Sequence, residues 1–144
     1  MSTVNQQQLE RLLESIPHTR YHAEWRLLTW HPRGVLDDSL ADRVVATIKA
    51  EEYLAEGPFH RYTELNGLTS IQMKVGHLFE ITRERKEASE RVKSAFVAST
   101  AVGFSVARMY ESLMDDATIC VRAFHEREAA AEWLGVPPEI LLPN

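Results

Sequence analysis

The sequence predicts an α/β fold: a mixed, mainly parallel five-stranded sheet covered by helices, with an extra N-terminal helix. Three observations carry this. Segments rich in β-branched and aromatic residues or in strict alternation take turns with segments of helical spacing, in the order helix, β, β, α, β, α, β, α, β, α. The run VKSAFVA, Val92 to Ala98, is short and largely apolar, as in a central strand covered on both faces. The first two strand candidates are separated only by His31-Pro32-Arg33-Gly34, too short for a parallel crossover, so the first strand must run antiparallel to the others.

The elements follow in order. In residues 1 to 20, Leu9, Leu12, Leu13 and Ile16 recur at i, i+3, i+4 and i+7 on one side of a helix that Pro17 ends. Tyr21, Ala23, Trp25 and Leu27 then alternate with His22, Glu24, Arg26 and Leu28, as in a half-buried strand continuing towards Trp30. After the turn, Val35 and Leu36 begin a second strand. Asp37 and Asp38 end it, and Ser39 with Asp42 fits a capping box that starts a helix. Leu40, Ala41, Val44, Val45 and Ile48 supply the buried stripe of that helix, and Gly57-Pro58 stops it.

Phe59 to Leu65 reads as a strand closed by Asn66-Gly67. Thr69 with Gln72 forms a second capping box, and the helix behind it carries Ile71, Val75, Leu78 and Phe79 on one face, with Arg83, Glu84, Arg85, Lys86 and Glu87 in water. After the central strand, Ser99 or Thr100 caps a helix in which Val102, Val106, Met109, Tyr110 and Leu113 keep the helical spacing. Asp115-Asp116 breaks the pattern, and Thr118 to Phe124 is the last strand. Glu126 to Leu134 is the last helix, with Ala129, Ala130 and Trp133 inward, Gly135 as its C-terminal cap, and Pro137 and Pro138 preventing continuation. The expected core is Trp25, Leu27, Val44, Ile48, Val75, Phe79, Phe96, Val97, Val106, Ile119, Val121 and Trp133.

With 144 residues, 44% hydrophobic and 26% charged, the chain suits one globular domain. A net charge of -5 offers no basic excess for a phosphate backbone, so no nucleic-acid partner is expected. Cys120 is the only cysteine, which excludes an intrachain disulfide and suits a reducing compartment. There is no basic region followed by an apolar h-region and no run of 18 apolar residues, so the expectation is a cytoplasmic protein without a membrane span.

Catalytic chemistry has no signature. None of the six histidines sits in HExxH or HxH spacing, and Cys120, between Ile119 and Val121, reads as a small buried hydrophobe. Asp37-Asp38 and Asp115-Asp116 lie at element boundaries, where turns and caps use carboxylates. The G-x-S-x-G elbow, the Walker A loop and G-x-G-x-x-G are missing, and the run RERKEASERVK balances its charges as a solvated helix end does. No catalytic residue, metal site or cofactor is assigned, and the expectation is a protein that is not an enzyme. Two hydroxyl pairs stand out: Thr69-Ser70 and Ser99-Thr100 each fall at the carboxyl end of a strand. There they serve either as helix caps or at a ligand or regulatory site, since ligands of open parallel sheets collect at that end.

The stretch ELNGLTSIQ at Glu64 to Gln72 and the ending CVRAFHEREAAAEWLG at Cys120 to Gly135 resemble the SpoIIAA-like, or STAS, family of anti-sigma factor antagonists and its SEC14-like relatives. The resemblance divides the chain into an N-terminal helical extension (1–20), a STAS-like domain (21–136) and a C-terminal tail (137–144). In phosphorylated members an acidic residue ends the third strand and a serine opening the next helix accepts phosphate. Glu64 matches the acid, whereas Met73 falls at the phosphoacceptor position; Thr69 or Ser70 could substitute only if the helix start were displaced. The resemblance therefore implies a non-catalytic regulatory or protein-interaction domain without the phosphoacceptor serine, partnered by another protein or a second copy of itself. The alternative is a carrier or sensor of a small hydrophobic, lipid-like ligand. In either case Thr69, Ser70, Met73, Ser99 and Thr100 form the expected ligand or partner surface.

Overall fold

The computed structural model describes residues 11, 16–54, 59–86 and 91–143. The Leu9, Leu12, Leu13 stripe, the Gly57-Pro58 stop and Glu87 lie outside the described residues; Ile16, the last member of the stripe, is buried.

The main sheet has five strands in the order β1 (Thr19–His22), β2 (Leu27–Trp30), β4 (His60–Glu64), β6 (Val92–Val97) and β7 (Ile119–Phe124). Only β1 runs antiparallel. The mixed, mainly parallel sheet is thus as expected, but its first two strands are not. The expected single strand from Tyr21 to Trp30 is a hairpin: Ala23–Trp25 form a 3-10 turn, and Arg26 takes a left-handed φ of 46° so that β2 can fold back on β1. Alternation continues through the turn, so periodicity alone does not reveal it.

The segment expected as the second strand, β3 (Gly34–Asp37), leaves the main sheet and pairs in parallel with β5 (Leu68–Gln72). Thr69 and Gln72 are therefore strand residues and not a capping box. Leu-Thr-Ser-Ile-Gln carries enough β-branched content for a strand once β3 offers a partner edge.

Helix α1 (Asp38–Leu54) is capped two residues before the expected Ser39, because Asp37 Oδ1 accepts the amide of Leu40 at 2.8 Å. Helix α2 (Val75–Arg85) has no side-chain cap of its own; Asp38 Oδ1 accepts the amide of Lys74 at its start, at 3.1 Å. The buried face of α2 is Leu78, Ile81, Thr82 and Arg85, while Val75 and Phe79 are 55% and 53% exposed, contrary to their expected core role. Thr82 can be buried because its hydroxyl donates to the Leu78 carbonyl at 2.9 Å.

Helix α3 (Ala101–Leu113) is capped by Thr100, whose Oγ1 accepts the Gly103 amide at 3.1 Å. It presents Gly103 and Ala107 to Leu65 and Ala98, leaving Val102 and Met109 exposed. A Cβ on Gly103 would stand 2.9 Å from Thr100 Oγ1 and 3.0 Å from Ala98 Cβ, so the absent side chain sets how closely α3 approaches the sheet.

Helix α4 (Arg127–Leu134) ends at Gly135, with φ 75° and its amide on the Ala131 carbonyl at 2.9 Å, the cap expected from the sequence. Its inward residues are Ala130 and Ala131, with Ala129 exposed. Helix α4 packs with Leu141 over Leu27, Tyr62, Ala95 and Val97 on one sheet face. On the other face, α1 and α2 bury Ala41, Val44 and Ile81 against Trp30 and Leu36. Cys120 is exposed, because β7 is an edge strand that turns Ile119 and Val121 inward and Cys120 and Arg122 outward.

Candidate functional site

The face beneath α1, α2 and α3 contains a cavity of about 140 Å³. Its floor comes from β2, β4 and β6. Strand register aligns Leu28 with Arg61 and Arg61 with Ser94, so one row across the floor carries an aliphatic group, a guanidinium and a hydroxyl. The next row, two residues further along each strand, is Trp30, Thr63 and Phe96. Val44 and Ile48 of α1, Leu78 and Ile81 of α2, and Val106 and Tyr110 of α3 form the roof.

Two lining residues break the apolar pattern. Arg61, mid-sheet, is 6% exposed, and Arg85, in the last turn of α2, is 5% exposed. Arginine is rarely this deeply buried without engagement, and both side chains do make interactions within the protein. Tyr110 stands between sheet and helices with its ring edge-on to Phe96, centroids 5.6 Å apart. Burial pushes its phenol above the usual range, with the positive charges of Arg61 and Arg85 opposing that rise. The burial of Arg85 departs from the solvent-facing position its sequence context predicts, and Arg61 carries no sequence expectation of burial. The signals were nonetheless present: Phe59, Arg61 and Thr63 share one face by strand alternation, and Arg85 completes an i, i+3, i+4, i+7 set with Leu78, Ile81 and Thr82.

Of the five residues expected to form a surface, only Met73 lines the cavity. It follows β5 and packs, half-buried, against the cluster around Trp30 and Val44. Thr69 is exposed and Ser70 half-buried on β5, where Ser70 Oγ accepts from Gln72 Nε2 at 3.3 Å. Ser99 and Thr100 follow β6. Ser99 donates its amide (2.8 Å) and its hydroxyl (3.0 Å) to Asn66 Oδ1, tying the loop after β4 to the loop after β6, and Thr100 is the cap of α3.

A second polar cluster lies under α4. The Tyr62 hydroxyl donates to Glu64 Oε1 at 2.7 Å, and Arg127 binds the same carboxylate. Burial, and then the bond to Glu64, hold the Tyr62 phenol well above its ordinary range. On the outer surface His77 bridges α2 to Asp42 of α1 at 2.6 Å and approaches Glu80 at 3.4 Å. Among the described residues no three His, Cys, Asp or Glu side chains converge as metal ligands do, and no helix is long and apolar enough to cross a membrane.

No family model matches the chain, and no curated protein matches it. Among solved structures it is similar to an uncharacterised protein of the DUF3478 family with a SpoIIAA-like fold from Shewanella loihica PV-4. The two are 12% identical over 75% of this chain and 83% of that one, with a TM-score of 0.50. At that identity the likeness concerns the fold alone: this chain has a SpoIIAA-like fold.

Proposed function

We propose that the chain is a non-catalytic regulatory module that senses or carries a small, largely apolar ligand held between the sheet and helices α1 to α3. The observation that carries this is the cavity of about 140 Å³ with its mainly aliphatic and aromatic lining. A dry apolar void of about 150 Å³ is known to admit a benzene-sized guest, which sets the scale of the ligand. The cavity suits one ring or a short branched chain, and a long acyl chain is too large for it. Met73 supports this role over a phosphorylation switch, since the residue at the expected phosphoacceptor position contributes a thioether to the cavity wall. Thr69 and Ser70 lie on β5, ahead of the start of α2, which favours the same reading. The single cysteine supports action in a reducing, cytoplasmic setting.

A second reading, docking to another protein or to a second copy of the chain, is favoured by Val75, Phe79, Val102 and Met109, four large apolar side chains exposed on α2 and α3.

Native mass spectrometry of the purified protein, together with amide shifts and thermal unfolding in toluene-saturated buffer, tests both readings. The cavity reading expects a monomer whose melting temperature rises with toluene and whose shifts concentrate at Leu28, Met73 and Val106. A protein that toluene leaves unchanged, and that runs as a stable dimer, transfers the function to the exposed helix surface.

A further inference from the structure

We infer that Ile16, set on the Pro17–His18 turn ahead of β1, is a detachable plug of this cavity, and that the turn is the hinge on which it withdraws to admit the ligand. The inference rests on the proposal that the cavity is a ligand site, and adds how that site opens.

An enclosed ligand needs some part of the wall to yield. The floor is a ladder of strands, in which moving β4 breaks backbone bonds to both of its neighbours. The roof helices are fastened across their seam: His77 of α2 to Asp42 of α1 at 2.6 Å, Glu84 of α2 to Lys49 of α1, and the Lys74 amide to Asp38 Oδ1 at 3.1 Å. Ile16 is held differently. Its side chain is 4% exposed and packs with Trp30, Leu36, Ala41, Val44 and Ile81, and all of these line the cavity. Yet Ile16 itself belongs to no helix or strand.

The turn behind it is thinly supported. Pro17 has no amide hydrogen to donate, and Pro17 and His18 are both exposed. His18 takes a φ of 69°, in the left-handed region, where a residue bearing a Cβ is strained. Two hydrogen bonds oppose that strain: Thr19 Oγ1 donates to the Ile16 carbonyl at 2.9 Å, and the His31 amide donates to the His18 carbonyl at 3.0 Å. Withdrawing Ile16 gives up its burial but lets His18 return to an extended conformation, so the strain lowers the net cost of opening. One or a few positions that absorb a change of φ and ψ are what a hinge requires.

The experiment follows the exchange of toluene between free and bound states by saturation-transfer nuclear magnetic resonance on the full chain. Ile16→Ala is expected to speed exchange at least about tenfold over the unmodified protein, because the lost packing is what holds the plug in place. Ile48→Ala removes the same atoms from the α1 part of the wall and is expected to change the rate by less than about threefold, since it enlarges the cavity without loosening the plug. His18→Val, which makes the left-handed turn more costly, is expected to speed exchange several-fold with Ile16 still present. Ile16→Ala exchanging no faster than Ile48→Ala overturns the plug and leaves the cavity reading intact. A rate that His18→Val leaves unchanged overturns the hinge. Toluene that does not bind the unmodified protein overturns both the plug and the cavity reading. Should Ile16→Ala fail to fold, His18→Val, in an exposed turn, still decides the matter.

Discussion

Arg127 grips Glu64 through three hydrogen bonds: Nε and Nη2 both donate to Oε1, at 3.0 and 2.8 Å, and Nη2 also reaches Oε2 at 3.0 Å. The acid that ends β4 is therefore occupied by the first residue of α4, with Tyr62 on the same oxygen. Glu64 is buried, and the pair fixes the start of α4 against the sheet. Its position on the face opposite the cavity separates it from the proposed ligand.

Removing one member of that pair should be costly. Arg127→Leu leaves a buried carboxylate with only the Tyr62 hydroxyl, and is expected to destabilise the fold by about 3 kcal/mol in urea unfolding. Glu64→Gln, which keeps an acceptor, should cost less, about 1 to 2 kcal/mol. A change within about 0.5 kcal/mol for Arg127→Leu would mean that α4 is held by its alanines alone.

Helix α2 offers a direct comparison of adjacent residues. Leu78 is buried and Phe79 is half in water. Leu78→Ala is expected to cost about 2 to 4 kcal/mol, because its packing is lost along with the methyl groups. Phe79→Ala should change stability by no more than about 0.5 kcal/mol. If the larger loss falls on Phe79, the helix buries the face expected from the sequence.

Stability should also respond to pH in two opposing ways. Burial, then the nearby positive charge of Lys93, lowers the pKa of His60, whose Nδ1 accepts the Lys93 amide at 3.0 Å; burial and Arg20 lower that of His22. For these rings the unfolded chain binds the proton more readily. Their contribution is complete above an unfolded pKa of about 6.5 and is lost as pH falls below it. His77 is the reverse, since its hydrogen bond to Asp42 raises its pKa. That contribution is complete below about 6.5 and is lost as pH rises through the raised value. Urea midpoints should thus peak near pH 6.5 and decline on both sides, roughly where the unfolded histidine titrates. Asp42→Asn should flatten the alkaline decline. A decline that survives this substitution has another source.

Local chemistry alone determined a good part of this molecule. The α/β class, the covered strand at Val92 to Val97 and the Thr100 and Gly135 caps follow from spacing and capping within a few residues, whereas the antiparallel pair is β1 with β2 and not the pair expected across the His31 to Gly34 turn. Tertiary structure decided what depends on distant neighbours. Alternation from Tyr21 to Leu28 runs unbroken through the Ala23–Trp25 turn, and the fold back of β2 depends on a left-handed Arg26. The strand character of Thr69 and Ser70 depends on β3, which meets them only after the chain has left the main sheet. In α2 the spacing supports two faces, and the one with Thr82 and Arg85 is the buried one, with Thr82 bonding within the helix and Arg85 lining the cavity and engaged within the protein. The candidate site was least legible for the same reason. Periodicity treats arginine as a surface residue, and only assembling sheet and helices encloses Arg61 and Arg85 in one mainly apolar chamber, where each is buried together with the interactions it makes within the protein.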